Sequence, residues 1–195
     1  QFNALPGDYA TAVGSVSGVT TPASGLAVGN GDTRIQFCTT GCVTGVLVAS
    51  GSEGNIAWQH LKFAGAIDVA PTFTGGATAT QTVGTHMPSS KIRSAGWGFD
   101  YNSTSLQNVV VLTGSIATAA TVDANSLVNG TTITTGIIVP TDALAIDSKI
   151  DDGVPTSGKI RGVNAAATTT CVNTTYQVVN TTKTCGLSYQ IDVNS

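Results

Sequence analysis

Apolar and polar positions change rhythm several times along this 195-residue chain. A helical period falls on 53–67, where Trp58, Leu61, Ala64, Gly65 and Ile67 recur near helical spacing. Glu53 lies in the first turn and Ser52 at the cap position, so the spacing predicts a helix from Glu53 to Ile67 held in the core by Trp58. A second, shorter helix is expected from Thr141. Thr141 is placed to cap it, Asp142 complements the positive end of its dipole, and Leu144, Ile146 and Ile150 give it an apolar side. Asp151, Asp152 and Gly153 stop that helix. Pro155 then drives Val154 toward extended backbone, and Gly158 opens a strand through Lys159 to Val163.

Between these helices the pattern is that of strands. The segments 91–101 (KIRSAGWGFDY) and 108–116 (NVVVLTGSI) are expected in a central sheet. GNGDTRIQF at 29–37 predicts a turn and a short strand, and VTGVLVAS at 43–50 and TTITTGIIV at 131–139 are further strand candidates. The stretch 171–193 predicts a hairpin followed by a last strand, and 117–125 has weak helical character. Residues 10–30 and 71–88 are Gly- and Thr-rich surface loops, and Gln1 to Tyr9 resembles the last turn of a helix broken by Pro6 and Gly7. With no repeat and no linker, the whole of 1–195 is expected to be one domain.

Composition narrows the classes of function. Only 10% of residues are charged and the net charge is −3, which lacks the basic footprint that nucleic-acid binding requires. The 23 glycines among many threonines favour turns and β structure with an uncharged surface. No apolar run approaches the roughly 20 residues needed to cross a bilayer, and the amino terminus lacks the parts of a signal peptide.

Four cysteines occur as Cys38 with Cys42 and Cys171 with Cys185. The even count favours two local disulfides over crossed pairing or free thiols, and zinc would need knuckle spacing or neighbouring histidines that are absent. A Cys171 to Cys185 bridge closes a hairpin-like loop, stabilising by about 3 kcal/mol in the chain-entropy model. Disulfides imply an oxidising compartment and hence export, so the exporting element is expected upstream of Gln1 or on another polypeptide.

Candidate chemistry is sparse. His60 and His86 are the only histidines, no GxSxG elbow accompanies them, and His60 falls on the Trp58 helix as a structural residue would. Cys38 and Cys42 lack the CxxC spacing of thiol oxidoreductases. Asp147, Asp151 and Asp152 form an acidic group suited to weak Ca2+ binding, set against capping, turn formation and pairing with Lys149, Lys159 or Arg161, and GNGD at 29–32 shares that ambiguity with a plain turn favoured. Neither this group nor GNGD at 29–32 has EF-hand spacing. No other cofactor is expected, and no segment has P-loop spacing. Trp97, Phe99 and Tyr101 alternate and so share one face of their strand, a core or subunit contact in preference to a sugar platform. Asn102, Asn129, Asn173 and Asn180 each begin an Asn-x-Ser/Thr triplet, a match that arises easily by chance in so Thr-rich a chain.

Five segments in order carry a family resemblance: FNALPGD at 2–8, GNGD at 29–32, AWQHLKFAGAI at 57–67, MPSSKIRSAGW at 87–97 and DALAIDSKIDDGVPTSGKIR at 142–161. Together they resemble the prepilin-like proteins of bacteria, the type IV pilins and the pseudopilins of type II secretion. The resemblance implies an α+β globular domain with an antiparallel sheet packed on the end of an amino-terminal helix and a disulfide-closed carboxy-terminal region. It implies a non-enzymatic structural subunit of a helical filament, extracellular or periplasmic, whose partners are copies of itself. It also implies anchoring in the inner membrane before assembly through a hydrophobic helix outside this sequence, on the same polypeptide or on a separate small pilin subunit. The alternative from another class is a minor pilin or adhesin, with loops 10–30 and 71–88 binding a surface, a glycan or secreted cargo. A secreted hydrolase ranks last.

Overall fold

The computed structural model describes residues 5–9, 29, 31–37, 53–68, 82–85, 87–116, 127–128 and 133–191. The two strands expected in a central sheet pair as an antiparallel hairpin. Strand β1 (Gly96–Asn102) and strand β2 (Gln107–Thr113) run in register from Gly96 opposite Thr113 to Asn102 opposite Gln107. Their turn is fastened locally, because the Asn102 side-chain oxygen accepts the N–H groups of Thr104 and Ser105. Strand β3 (Ile160–Asn164) and strand β4 (Cys185–Gln190) complete an antiparallel sheet in the order β1-β2-β4-β3. Helix α1 (Glu53–Phe63) and helix α2 (Pro140–Ile150) contact this sheet, giving an α+β domain.

The period-2 geometry of the strands sorts side chains onto two faces. On one face Val109 and Val111 of β2 and Val163 of β3 join Phe37, Met87, Ile116, Leu127 and Ile133 in a dry cluster. Asp100 of β1 lies among them, fully buried, its carboxylate accepting N–H groups from Phe37, Tyr101, Leu127 and Val128. One side chain therefore fastens three separate stretches of chain together. Burial pushes its carboxyl well above the ordinary carboxylate range, with the four N–H donors opposing that shift.

On the other face Phe99 packs with Ile35 and Ala57, with Leu5, Trp58, Leu61 and Val110 against them. Trp58 stacks on Phe99 with ring centroids 4.3 Å apart, so the α1 anchor expected from the sequence reaches the sheet. A larger cluster at the opposite end of this face joins Leu112 and Leu187 to Ile137, Ile138, Ala143, Ile160, Val172 and Tyr176. Cys171 and Cys185 lie inside it and form a disulfide, their Cα atoms 5.0 Å apart.

Helix boundaries depart from the expectations for identifiable reasons. Helix α1 ends at Phe63, not Ile67, because Gly65 takes φ +72 and the following N–H groups fold back: Gly65 donates to the carbonyl of Lys62 and Ala66 to that of Leu61. Helix α2 begins at Pro140 with Val139 as its N-cap and no side-chain cap. Proline at the first helical position has no N–H to satisfy and a φ already suited to the helix, so Thr141 is not needed as a cap. Its hydroxyl instead donates to the Val178 carbonyl. The buried side of α2 carries Pro140, Ala143 and Asp147, with Leu144 and Ile146 partly buried, whereas Ile150 is 63% exposed.

Three expected strands are reduced or absent. Residues 31–37 form bends and extended chain without a ladder, the described part of the 131–139 candidate, 133–139, contributes only bridges at Ile133 and Ile138, and the expected hairpin after Cys171 is a single bridge of Val172 with Tyr176. Side chains take the place of the missing ladder. The Asn164 amide accepts from the N–H groups of Cys171 and Val172 and donates to the Val172 carbonyl. Asn180 likewise accepts from Thr182 and donates to the Thr170 carbonyl. Such local bonds let Asn-rich chain satisfy itself without a sheet partner. The stretches 43–50 and 117–125 lie outside the described residues.

Candidate functional site

The feature that sets this domain apart is an apolar groove left open on the Phe99 face of the sheet. Its floor follows from register: Trp97 of β1 stands opposite Leu112 of β2, Leu112 opposite Leu187 of β4, and Val110 opposite Tyr189. Tyr189 is in turn opposite Ile160 of β3. All six side chains therefore share one face, and all line the groove. Trp58 of α1 forms one wall, and Ile146 and Ile150 of α2 the other. The volume is about 490 Å³.

Among the described residues each helix covers only its own end of the sheet, which leaves the middle uncovered by them. Half-buried Trp97, Ile150 at 63% exposure and Tyr189 at 46% would be unfavourable against water across a continuous surface. Beside the groove, the indole N–H of Trp58 is buried with no hydrogen-bond partner among the described residues, although buried tryptophans ordinarily find an acceptor.

Trp97, Phe99 and Tyr101 do share a face, but they divide its work. Phe99 and Tyr101 are buried, Phe99 beneath Trp58 and Tyr101 with the Arg34 guanidinium 5.0 Å from its ring centroid. Only Trp97 contributes to the groove.

The amino-terminal segment meets the fold beside this groove. Leu5 packs in the cluster that contains Trp58 and Val110, both groove residues. The PGD turn that follows is clamped. Gly7, at φ +89, lies so close to the Glu53 carbonyl and the Ala57 side chain that no Cβ would fit, and its N–H donates to His60 Nδ1 at 3.0 Å. Asp8 accepts the N–H groups of Gly31, Asp32 and Thr33 at 2.7 to 2.9 Å. His60 is thus a buried acceptor of the Gly7 N–H, and residues 5–8 and 31–33 are two halves of one staple. Burial raises the Asp8 carboxyl above its ordinary value, and the three N–H bonds moderate this.

The acidic group forms a compact clamp at the end of α2. Carboxylate oxygens of Asp147, Asp151 and Asp152 lie within 4.8 Å of one another, as do those of Asp8, Asp32 and Glu53. Asp147 is buried, accepting from Gly153 N–H and from the Tyr176 hydroxyl at 2.8 Å. Asp151 accepts from the N–H groups of Lys159 and Ile160, and exposed Asp152 from Val154 N–H and the Ser157 hydroxyl. Burial raises the Asp147 carboxyl, while hydrogen bonds from Ser157 and Val154 lower that of Asp152. Burial and the adjoining Asp147 also push the Tyr176 hydroxyl far up. These N–H and O–H donors serve the turn-forming role weighed against Ca2+.

Of the remaining sequence candidates, Cys171 and Cys185 are bonded, and Cys38, Cys42, His86 and Asn129 lie outside the described residues. So do residues 10–30 apart from Gly29, and 71–81 of the second loop, 71–88, on which the adhesin alternative rests. Asn102 is buried and Asn180 is engaged through both amide atoms, whereas Asn173 is exposed. Among the described residues no helix is long and apolar enough to cross a membrane.

Comparison with family models, with curated proteins and with solved structures finds no match for this chain.

Proposed function

We propose that this domain is the globular part of a pilin-like or pseudopilin-like structural subunit that acts by assembly into a filament outside the inner membrane and transforms no substrate. The observation that carries this reading is the open groove. A continuous apolar trough between two helices, floored by a sheet, suits the apolar stripe of a third helix. Leu5 enters beside that trough, so a helix leading into the PGD turn would lie along it, whether it belongs to the same polypeptide or to a separate subunit. Low surface charge favours the reading further, since subunits approach closely with little desolvation of charge.

The test is assembly in the producing cell. Leu187→Asp places a carboxylate in the trough floor. With the domain still folded by circular dichroism, sheared surface or periplasmic filaments should lack the variant protein. Recovery of Leu187→Asp in filaments at the wild-type level contradicts the reading.

A further inference from the structure

A second concavity, independent of the groove, gathers charge where the groove has none. It is lined by Arg93, Ser94, Thr135, Gly136, Ile137 and Lys183 and has a volume of about 380 Å³. The chain has only 8 lysines and arginines, and two of them, far apart in sequence, converge here without a carboxylate among the described residues of the lining. Neither cation makes an ion pair with the described residues, and both are exposed. The two large acidic clusters sit elsewhere, around Asp8 and around Asp147. In a protein of net charge −3 this leaves a locally positive, hydroxyl-lined hollow.

Its walls are held firmly. The turn presenting Arg93 and Ser94 is closed by Ser90 N–H on the Ala95 carbonyl at 2.8 Å and by Ala95 N–H on the Ile92 carbonyl at 3.0 Å. Ser94 is kept at φ +64, an uncommon backbone state for a residue with a side chain and one that recurs at ligand sites. Opposite it, Gly136 lies against the Thr184 and Cys185 backbone with no room for a Cβ. Ile137 N–H donates to the Cys185 carbonyl, and Cys185 is fixed by its disulfide to Cys171, two residues from Lys183.

We propose that this hollow binds a phosphate monoester carried on a small polar molecule of sugar-phosphate size. A guanidinium offers paired donors to a tetrahedral oxyanion, an ammonium adds a point charge, and the Ser94 and Thr135 hydroxyls donate to the remaining oxygens or to sugar hydroxyls. The volume falls within the range of small-molecule sites. The same phosphate chemistry is presented by a free sugar phosphate and by a phosphomonoester lipid headgroup.

The experiment is a two-dimensional amide NMR titration of the whole 195-residue domain with glucose 6-phosphate, with glucose, and with phosphatidylcholine vesicles with or without phosphatidic acid. Glucose 6-phosphate should shift the amides of Ser94, Thr135, Gly136 and Lys183 saturably, and glucose should not. Arg93→Gln or Lys183→Gln should weaken that binding about tenfold, the loss of one charge-assisted hydrogen bond, while Lys91→Gln on the same loop leaves it unchanged. Competition from phosphatidic acid vesicles identifies a headgroup as a source, and its absence with glucose 6-phosphate binding intact identifies the soluble ester. Absence of saturable shifts up to roughly 10 mM ligand, where even weak specific sites of this energy fill, overturns the proposal. So does equal weakening by Lys91→Gln, or a loss confined to salt-sensitive self-association in sedimentation, which would make the hollow a contact between copies. Because the wild-type titration stands without any variant, poor folding of one substitution leaves the outcome decided.

Discussion

The Tyr176 hydroxyl donates to Asp147 Oδ2 at 2.8 Å, joining the disulfide-closed segment to the buried side of α2. That bond lies in the wall that closes one end of the sheet, since Tyr176, Cys171, Cys185 and Ala143 occupy one cluster. Tyr176→Phe removes the donor and leaves a buried carboxylate with Gly153 N–H, so unfolding free energy should fall by about 1–3 kcal/mol. Urea denaturation checks it, and an unchanged midpoint would show that solvent already serves Asp147.

The Cys171–Cys185 bridge closes a 14-residue separation around a segment that has little ladder of its own. Replacing both cysteines by serine should lower stability by about 3 kcal/mol, read as a lower thermal midpoint and faster proteolysis between 171 and 185.

Asp100→Asn tests the four-way fastening on the opposite face. An amide keeps one oxygen and replaces the other with a donor group, so two of the four backbone N–H groups lose their acceptor in a dry site. A loss of about 2–4 kcal/mol is expected from two buried unsatisfied donors, measured by chemical denaturation.

Much of this was legible in the sequence and some was not. The Val109–Leu112 run and the alternating aromatics of 97–101 identify the β1–β2 hairpin, because burial on both faces leaves a direct trace in residue type. Asp147 was missed as a buried residue. It stands four after Ala143 and seven after Pro140, squarely on the buried helical side, but an aspartate near a helix end suggests solvent until the Tyr176 partner is placed against it. The hairpin expected after Cys171 failed for a similar reason, since Asn164 and Asn180 satisfy the backbone by side-chain bonds that no periodicity announces. The groove itself is invisible in the pattern: Val110 and Tyr189 look like any core position, and only the limited reach of α1 and α2 leaves them uncovered.

The buried carboxylates set a direction for pH dependence. Asp8, Asp100 and Asp147 are all raised above their ordinary value of 3.8, with burial as the largest cause in each. The folded domain therefore takes up protons at a higher pH than the unfolded chain, so stability should rise or hold as pH falls from 7 toward about 5. Asp152, lowered and exposed, opposes this only near and below its own unfolded value. Urea midpoints at pH 7 and pH 5 decide it, and a fall at pH 5 would mean that hydrogen bonding to the ionised forms outweighs burial.

The open groove is the centre of the account, and a cryo-electron microscopy reconstruction of filaments sheared from the producing cell tests it most directly. The expected map shows this domain repeating helically, with an apolar helix seated between Trp58 and Ile146 over Val110, Leu112 and Leu187. A filament in which that trough faces solvent, or filaments that lack this chain altogether, would contradict it.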